Sequence, residues 1–190
     1  KKENINLLTD ISPILKNGDV NVIIEIPAGT IDKWELDKQT GKLKWEIQNN
    51  KPRKVNYLGY PGNYGMIPKT LLSKDIGGDG DPLDVIVLGP PTKRGEVLNC
   101  KIIGVLYLQD NLEQDDKLIA ISNNSPLYKI KNIEELNQKY NGISKIIQLW
   151  FTNYKGANKI TSEGYGSKAD ALKILNNAIN QYQSKTSNIH

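Results

Sequence analysis

Histidine is almost missing from this chain: in 190 residues the only one is His190, at the far end, where it reads as part of a frayed terminus. Ser-His-Asp and Cys-His mechanisms are therefore excluded, and proton chemistry must run on other groups. Cysteine is as scarce. The single Cys100 lies in the apolar run VLNCKIIGVLYL, which rules out an intrachain disulfide and a thiolate zinc site and reads as a buried small hydrophobe. No apolar run approaches the roughly 20 residues of a membrane helix, so no membrane partner is expected. No Walker loop is present, since EGYGSK at 163–168 has neither the spacing nor a preceding strand and reads as a helix start. Repeats, low-complexity tracts and abrupt composition shifts are also lacking, so residues 1–190 are expected to form one domain. The chain opens at Lys1 without a methionine. A cytoplasmic location is the expectation, with a periplasmic or secreted one left open because a removed signal peptide would leave no trace.

Acid is what the chain has in concentration. DGDPLD at 79–84 crowds Asp79, Asp81 and Asp84 into one turn shaped by Gly77, Gly78, Gly80 and Pro82. Ionised carboxylates this close repel one another, so such a turn either holds a divalent cation or raises the pKa of one member. An EF-hand is excluded by counting from Asp79: position five is Leu83, position six is Asp84 and position twelve is Pro90. DVIVLG at 84–89 reads as a buried strand that begins on Asp84. More acids and cations follow in DNLEQDDK at 110–117, and the segment 22–37 carries Glu25, Lys33 and Glu35. Arg53 lies in KPRK, two tyrosines in YPGNYG at 60–65, and Tyr154 with Lys155 at the close of a helical stretch.

The periodicity gives the fold class. VNVIIEI (20–26), KWEL (33–36), LKWEI (43–47), DVIVLG, 96–108 and KLIAI (117–121) read as strands, with QTG at 39–41 turning a hairpin. Helical spacing is confined to the second half, over 143–154 and 167–183, where Ser167 and Asp170 form a capping-box pattern. Strands first and helices afterwards predict an α+β fold, mostly β: an OB-like, five-stranded antiparallel barrel flanked by C-terminal helices. Alternation along strands puts Lys33 with Glu35, and Asp115 with Lys117, on one side, and turns Trp34 and Asp116 elsewhere.

Taken in order, these residues resemble the soluble family I inorganic pyrophosphatases, whose signature is Asp, any residue, Asp, Pro, any residue, Asp. The resemblance runs from about Val20 to about Asn180. It implies hydrolysis of inorganic diphosphate to two orthophosphates by in-line attack of a water activated between divalent cations. It assigns Asp79, Asp84 and Asp115 to the tightest metal, Asp110 with Asp115 to a further one, Glu35 to another arriving with substrate, and Glu25 to a role through metal-bound water. Asp81 matches the acceptor of the water proton. Lys33, Arg53, Lys117, Tyr154 and Lys155 match groups that hold phosphate oxygens, and Tyr60 and Tyr64 match active-site tyrosines. Three to four Mg²⁺ per site are implied, with Mn²⁺ or Zn²⁺ as substitutes. The same resemblance implies a homo-oligomer, a hexamer on the bacterial pattern, although the histidines such relatives use at subunit contacts are missing here. Trp34 replaces a frequent tyrosine, and 156–166 aligns too loosely for any role.

The chemistry of these residue types agrees with that assignment. Phosphoanhydride hydrolysis asks for an activated water, a neutralised leaving phosphate and in-line alignment, and two cations about 3.5–4 Å apart supply much of it. Seven candidate carboxylates offer hard oxygen ligands, and Arg53 is suited to bidentate phosphate contact. Two rivals fare worse. A single-strand nucleic-acid binder would use the net charge of +4, the pI near 8.9 and the nine tyrosines, but seven acids on its face would repel a phosphate backbone, so no nucleic-acid partner is expected. A Ca²⁺-stabilised structural domain explains DGDPLD and leaves the four cations Lys33, Arg53, Lys117 and Lys155 without a task.

Overall fold

The computed structural model describes residues 5–188; His190 lies outside them. Eleven strands are formed: β1 (Val20–Ile26), β2 (Trp34–Asp37), β3 (Lys42–Trp45), β4 (Ile47–Gln48), β5 (Lys51–Pro52), β6 (Asn63–Met66), β7 (Asp84–Leu88), β8 (Val97–Asp110), β9 (Glu113–Gln114), β10 (Lys117–Ser122) and β11 (Ile160–Gly166). Three helices, α1 (Ile133–Lys139), α2 (Ile143–Asn153) and α3 (Lys168–Ser187), belong to the second half, as expected. None of them is long and apolar enough to cross a membrane.

Five strands close on themselves. β1 pairs with β6, β6 with β7, β7 with β10, β10 with β8, and β8 returns to β1, which completes the OB-like ring. Closure leaves these strands no free edge. Successive residues of a ring strand feed two apolar clusters. Ile86, Leu88, Ile119 and Ile121 join one, while Val85, Val87, Leu118 and Ala120 join the other. Burial on both faces is why DVIVL and KLIAI read as unbroken apolar runs. α3 seals the second cluster with Ala171, Leu175 and Ala178, and starts at Ser167 with the reciprocal capping box to Asp170.

Three features depart from expectation. The seam between β7 and β10 is parallel, Leu118 facing Val85, whereas the other four are antiparallel; the long excursion through β8 brings the chain back to the same end before β10 begins. The hairpin β2–β3 is not a ring member but a separate two-stranded sheet. The ring's second strand is instead β6, the NYGM that follows YPG. Its Gly65 lets β1 come close, since a Cβ there would lie 1.9 Å from the Ile23 carbonyl oxygen. The first four residues of the expected helix start, 163–166, belong to strand β11 laid on β8; the helix begins at Lys168, with Ser167 as its N-cap.

Candidate functional site

β7 and β10 run parallel and start at the same rim, so their first residues, Asp84 and Lys117, stand side by side. Strand alternation turns both toward the cluster that holds Tyr64. The Lys117 ammonium donates to Asp84 Oδ2 and to Asp115 Oδ1, each at 2.6 Å, with only 5% of the lysine side chain exposed. Burial alone would drive that lysine toward neutrality, but Asp84 and Asp115 outweigh it and keep its pKa above the ordinary range. Asp115 is raised nonetheless, because burial and the neighbouring Asp84 outweigh the pull of Lys117.

Tyr64, on β6, lies under this pair with its ring 5.3 Å from the Lys33 ammonium and 5.7 Å from that of Lys117. Both are within cation–π range. Burial lifts the Tyr64 hydroxyl well above its usual pKa, so it stays a neutral donor. Behind it, Tyr60, Trp150, Phe151 and Tyr154 form an aromatic wall; Trp150 stacks on Tyr154 at 4.7 Å and ties the wall to the 58 loop through Trp150 Nε1 to Leu58 O. The end of α2 thereby fixes Tyr154, and the next residue, Lys155, forms an ion pair with Asp110.

The turn 77–84 is stitched to residue 72 by Gly80 N to Leu72 O and Leu72 N to Asp81 O, and Asp79 Oδ1 accepts from Asp81 N at 2.8 Å. Gly80 has φ +84°, a left-handed conformation that suits glycine. Asp79 is raised by burial and then by the charges of Asp81 and Asp84. Across the cleft, backbone hydrogen bonds join Lys33, Glu46 and Arg53: Lys33 N to Arg53 O, Glu46 N to Lys33 O and Arg53 N to Glu46 O. Arg53 Nη1 also donates to Glu46 Oε1 at 2.7 Å.

The resulting cleft, about 270 Å³, is walled by Lys33, Arg53, Tyr64, Asp79, Asp81, Asp84, Asp110, Asp115, Lys117, Tyr154 and Lys155, all expected, together with Glu46, Glu113 and Gln114, which were not. Neither Glu46 nor the β9 pair carries a sequence signal of its own; each arrives through a hairpin partner. Three expected residues do not wall the cleft. Glu25 is buried behind it and accepts from Leu36 N at 2.8 Å; burial and then Asp84 push its carboxyl up to about 8. Tyr60 is buried inside the aromatic wall. Glu35 lies at the hairpin, 3.9 Å from the Lys44 ammonium. Asp116, between Asp115 and Lys117, turns to the opposite side, where it accepts from Leu108 N and Gln114 Nε2.

Among the described residues no three acids form a ready-made metal cage, because ammonium groups stand between the carboxylates at Asp84–Asp115 and on Asp110. The donor set still fits a hard divalent cation. It is all oxygen, it lies on one rim, and Asp79 and Asp115 are held above the ordinary range partly by like charge, which a cation relieves.

A closed OB-like ring with interleaved carboxylates and cations at one end defines a class of protein that handles phosphate anions together with divalent cations. Comparison with known proteins narrows this. The family model described as inorganic pyrophosphatase matches residues 22–183, and the inorganic pyrophosphatase of Xylella fastidiosa (strain 9a5c) is 35% identical over 170 residues, 87% of this chain and 90% of that one. The chain belongs to the inorganic pyrophosphatase family. Among solved structures, the Thermus thermophilus inorganic pyrophosphatase superposes with a TM-score of 0.78 at 28% identity, covering 94% of this chain and 99% of that one. An N-terminally truncated Trypanosoma cruzi vacuolar soluble pyrophosphatase, solved in complex with PPi, gives 0.86 at 26% identity over 97% of this chain and 78% of that one.

Proposed function

We propose that this chain hydrolyses inorganic diphosphate to two orthophosphates by direct in-line attack of water, with Mg²⁺ as the working cation, and that it does so as one domain. The observation that carries the reading is the cleft itself, which sets four cationic side chains against five aspartates, Glu46 and Glu113 around a volume suited to a small anion. Asp79, Asp84 and Asp115 would hold the first cation, Asp110 with Asp115 a second, and Glu35 one that arrives with substrate, while Glu25, behind the cleft, would act through metal-bound water. Cations held there would supply neutralisation of phosphate oxygens and acidification of the attacking water.

The chain's own groups supply the rest. Asp81, at the tip of its turn, accepts the proton that the attacking water gives up. Lys33 and Arg53 on one wall and Lys117, Tyr154 and Lys155 on the other grip the two ends of the substrate, and charge moving onto the leaving phosphate strengthens those contacts. Lys117 and Lys155 already hold carboxylates, so an incoming anion meets ammonium groups at fixed positions. Tyr64 and Tyr154 donate from hydroxyls that burial keeps neutral. Exposed Ile146 and Leu149, on the outer side of α2, support association of copies, with a hexamer as the state to test by sedimentation.

Phosphate release from diphosphate, measured with and without Mg²⁺, tests the reading. Turnover should require Mg²⁺, vanish with chelator, and fall steeply when Ca²⁺ is the only metal, since the larger ion relaxes the near-octahedral geometry. Absence of phosphate release at saturating Mg²⁺, with tight single-strand binding in chelator, would replace the enzyme by a nucleic-acid module.

A further inference from the structure

A second basic cavity adjoins the cleft, on the far side of the 77–84 turn. It measures about 820 Å³, within the range of small-molecule sites. Lys38, Lys74 and Lys185 line it against a single carboxylate, Asp75. These lysines come from three separate elements: the β2–β3 turn, the short 3-10 turn Lys74–Ile76, and the end of α3. Neither Lys74 nor Lys185 pairs with a carboxylate among the described residues. Ser184 and Asn180 add neutral hydrogen-bonding groups to the wall.

Two contacts connect this cavity to the cleft. The Lys38 ammonium donates to Gly80 O at 2.9 Å and forms an ion pair with Asp81, which walls the cleft. The stem of Lys74 lies over Gly80 itself, so close that a Cβ on that glycine would come within 2.9 Å of it. One lysine therefore has two possible anionic partners, Asp81 on one side and whatever anion enters the cavity on the other.

We propose that this cavity is a second anion site for an oligophosphate chain, inorganic or nucleotide-borne, and that its occupant shares Lys38 with Asp81 and so couples the site to turnover. Three ammonium groups spread around one space suit several linked phosphates better than a single carboxylate or sulfate. Drawing Lys38 toward the cavity removes a cation from the Asp81 carboxylate and hands that oxygen back to the cleft. The anion is thus read as an effector that acts without entering the cleft.

The test is calorimetric binding of a non-hydrolysable methylene-bridged triphosphate to the full chain at fixed free Mg²⁺, with the adenosine form of the same analogue as the second arm. Two molecules per chain are expected. Lys74→Gln/Lys185→Gln should leave one, with the second weakened at least about tenfold, while kcat and KM for diphosphate stay at parent values. Ser184→Asp, which repels the anion without shortening a lysine, should act in the same direction. Tighter binding of the adenosine form assigns a nucleotide, and equal or weaker binding assigns an inorganic chain. The coupling is read separately: the analogue should change kcat in the parent beyond simple competition, and Lys38→Ala should abolish that change while the second molecule still binds. A molecule count and affinity that the double variant leaves unchanged overturn the site, whereas a single molecule per parent chain that the double variant loses keeps the site and overturns the reading of the cleft; a kcat effect that survives Lys38→Ala overturns the coupling. Stoichiometry is measured without turnover, so it stands apart from the enzymatic reading.

Discussion

On the floor of the cleft the Lys117 side chain is 5% exposed and bonded to two carboxylates, whereas on the rim Lys38 and Asp81 meet with 49% and 55% of their side chains in water. The two ion clusters look alike as contact lists and differ as physics. Buried charges are costly to leave unmatched, so Asp84, Asp115 and Lys117 hold one another in place and are rooted in ring strands. Exposed pairs are worth at most about 1 kcal/mol and exchange partners readily. The floor supplies fixed charge, and the rim supplies charge that can move with an incoming ligand.

Lys117→Ala should give the largest effect. It strands Asp84 and Asp115 without their cation, so roughly 3–5 kcal/mol of stability should be lost in urea unfolding, with diphosphate turnover down about 10³-fold or more. A loss under about 1 kcal/mol would place Lys117 with the rim.

Next comes Glu25. Its carboxyl, near 8 when folded against an ordinary 4.5, keeps a proton that the unfolded chain has released. Its contribution to stability is therefore full below about pH 4.5 and is lost as pH rises through 8, by a few kcal/mol in all. Asp79 and Asp115, also raised, add to the same slope. Unfolding in chelator across pH 4–9 should show this decline, and Glu25→Gln should flatten it; an unchanged slope would mean the buried carboxyl does not titrate there.

Asp81→Asn should separate the two regions in the other sense. Stability should move by less than about 1 kcal/mol, while kcat falls on the order of 10²- to 10⁴-fold. If the Mg²⁺ requirement shifts as much as it does in Asp115→Asn, Asp81 is a ligand and not the proton acceptor.

Smallest of all should be Asp116→Asn. Facing away from its neighbours and keeping an oxygen for Leu108 N, it should stay within a few-fold of parent activity. Loss equal to that of Asp115→Asn in a folded protein would contradict the side assignment across 115–117.

Floor and rim also differ in how far the sequence reveals them. Asp84 is legible because it closes the acidic turn and opens an apolar strand; alternation places Asp115 and Lys117 on one side, and the family resemblance gives both their roles. Lys38 and Glu46 are not, since nothing local marks a hairpin lysine that reaches a turn 43 positions away. Strand periodicity finds β1, β7, β8 and β10 but misses β6, four residues with a glycine inside, and β11, whose ITSEGYG is polar. α1 is two turns long, too short for a periodic signal. The parallel seam depends on where the chain goes between β7 and β10, which alternation does not encode.

That seam has a consequence for how such a protein can change. Because β7 and β10 enter the ring from the same end, the segments leading into them, 72–83 and 111–116, open side by side, and neither passes through the barrel wall. Away from Leu83, which is buried in the core, and from Asp79, Asp81 and Asp115, which the site uses, either can be lengthened or shortened while the register of Leu118 on Val85 stays as it is. New ligand preferences are then a matter of varying two neighbouring segments around their fixed residues, and a library confined to the remaining positions of those stretches samples them while Asp115 still holds Lys117 and Leu83 still fills the core.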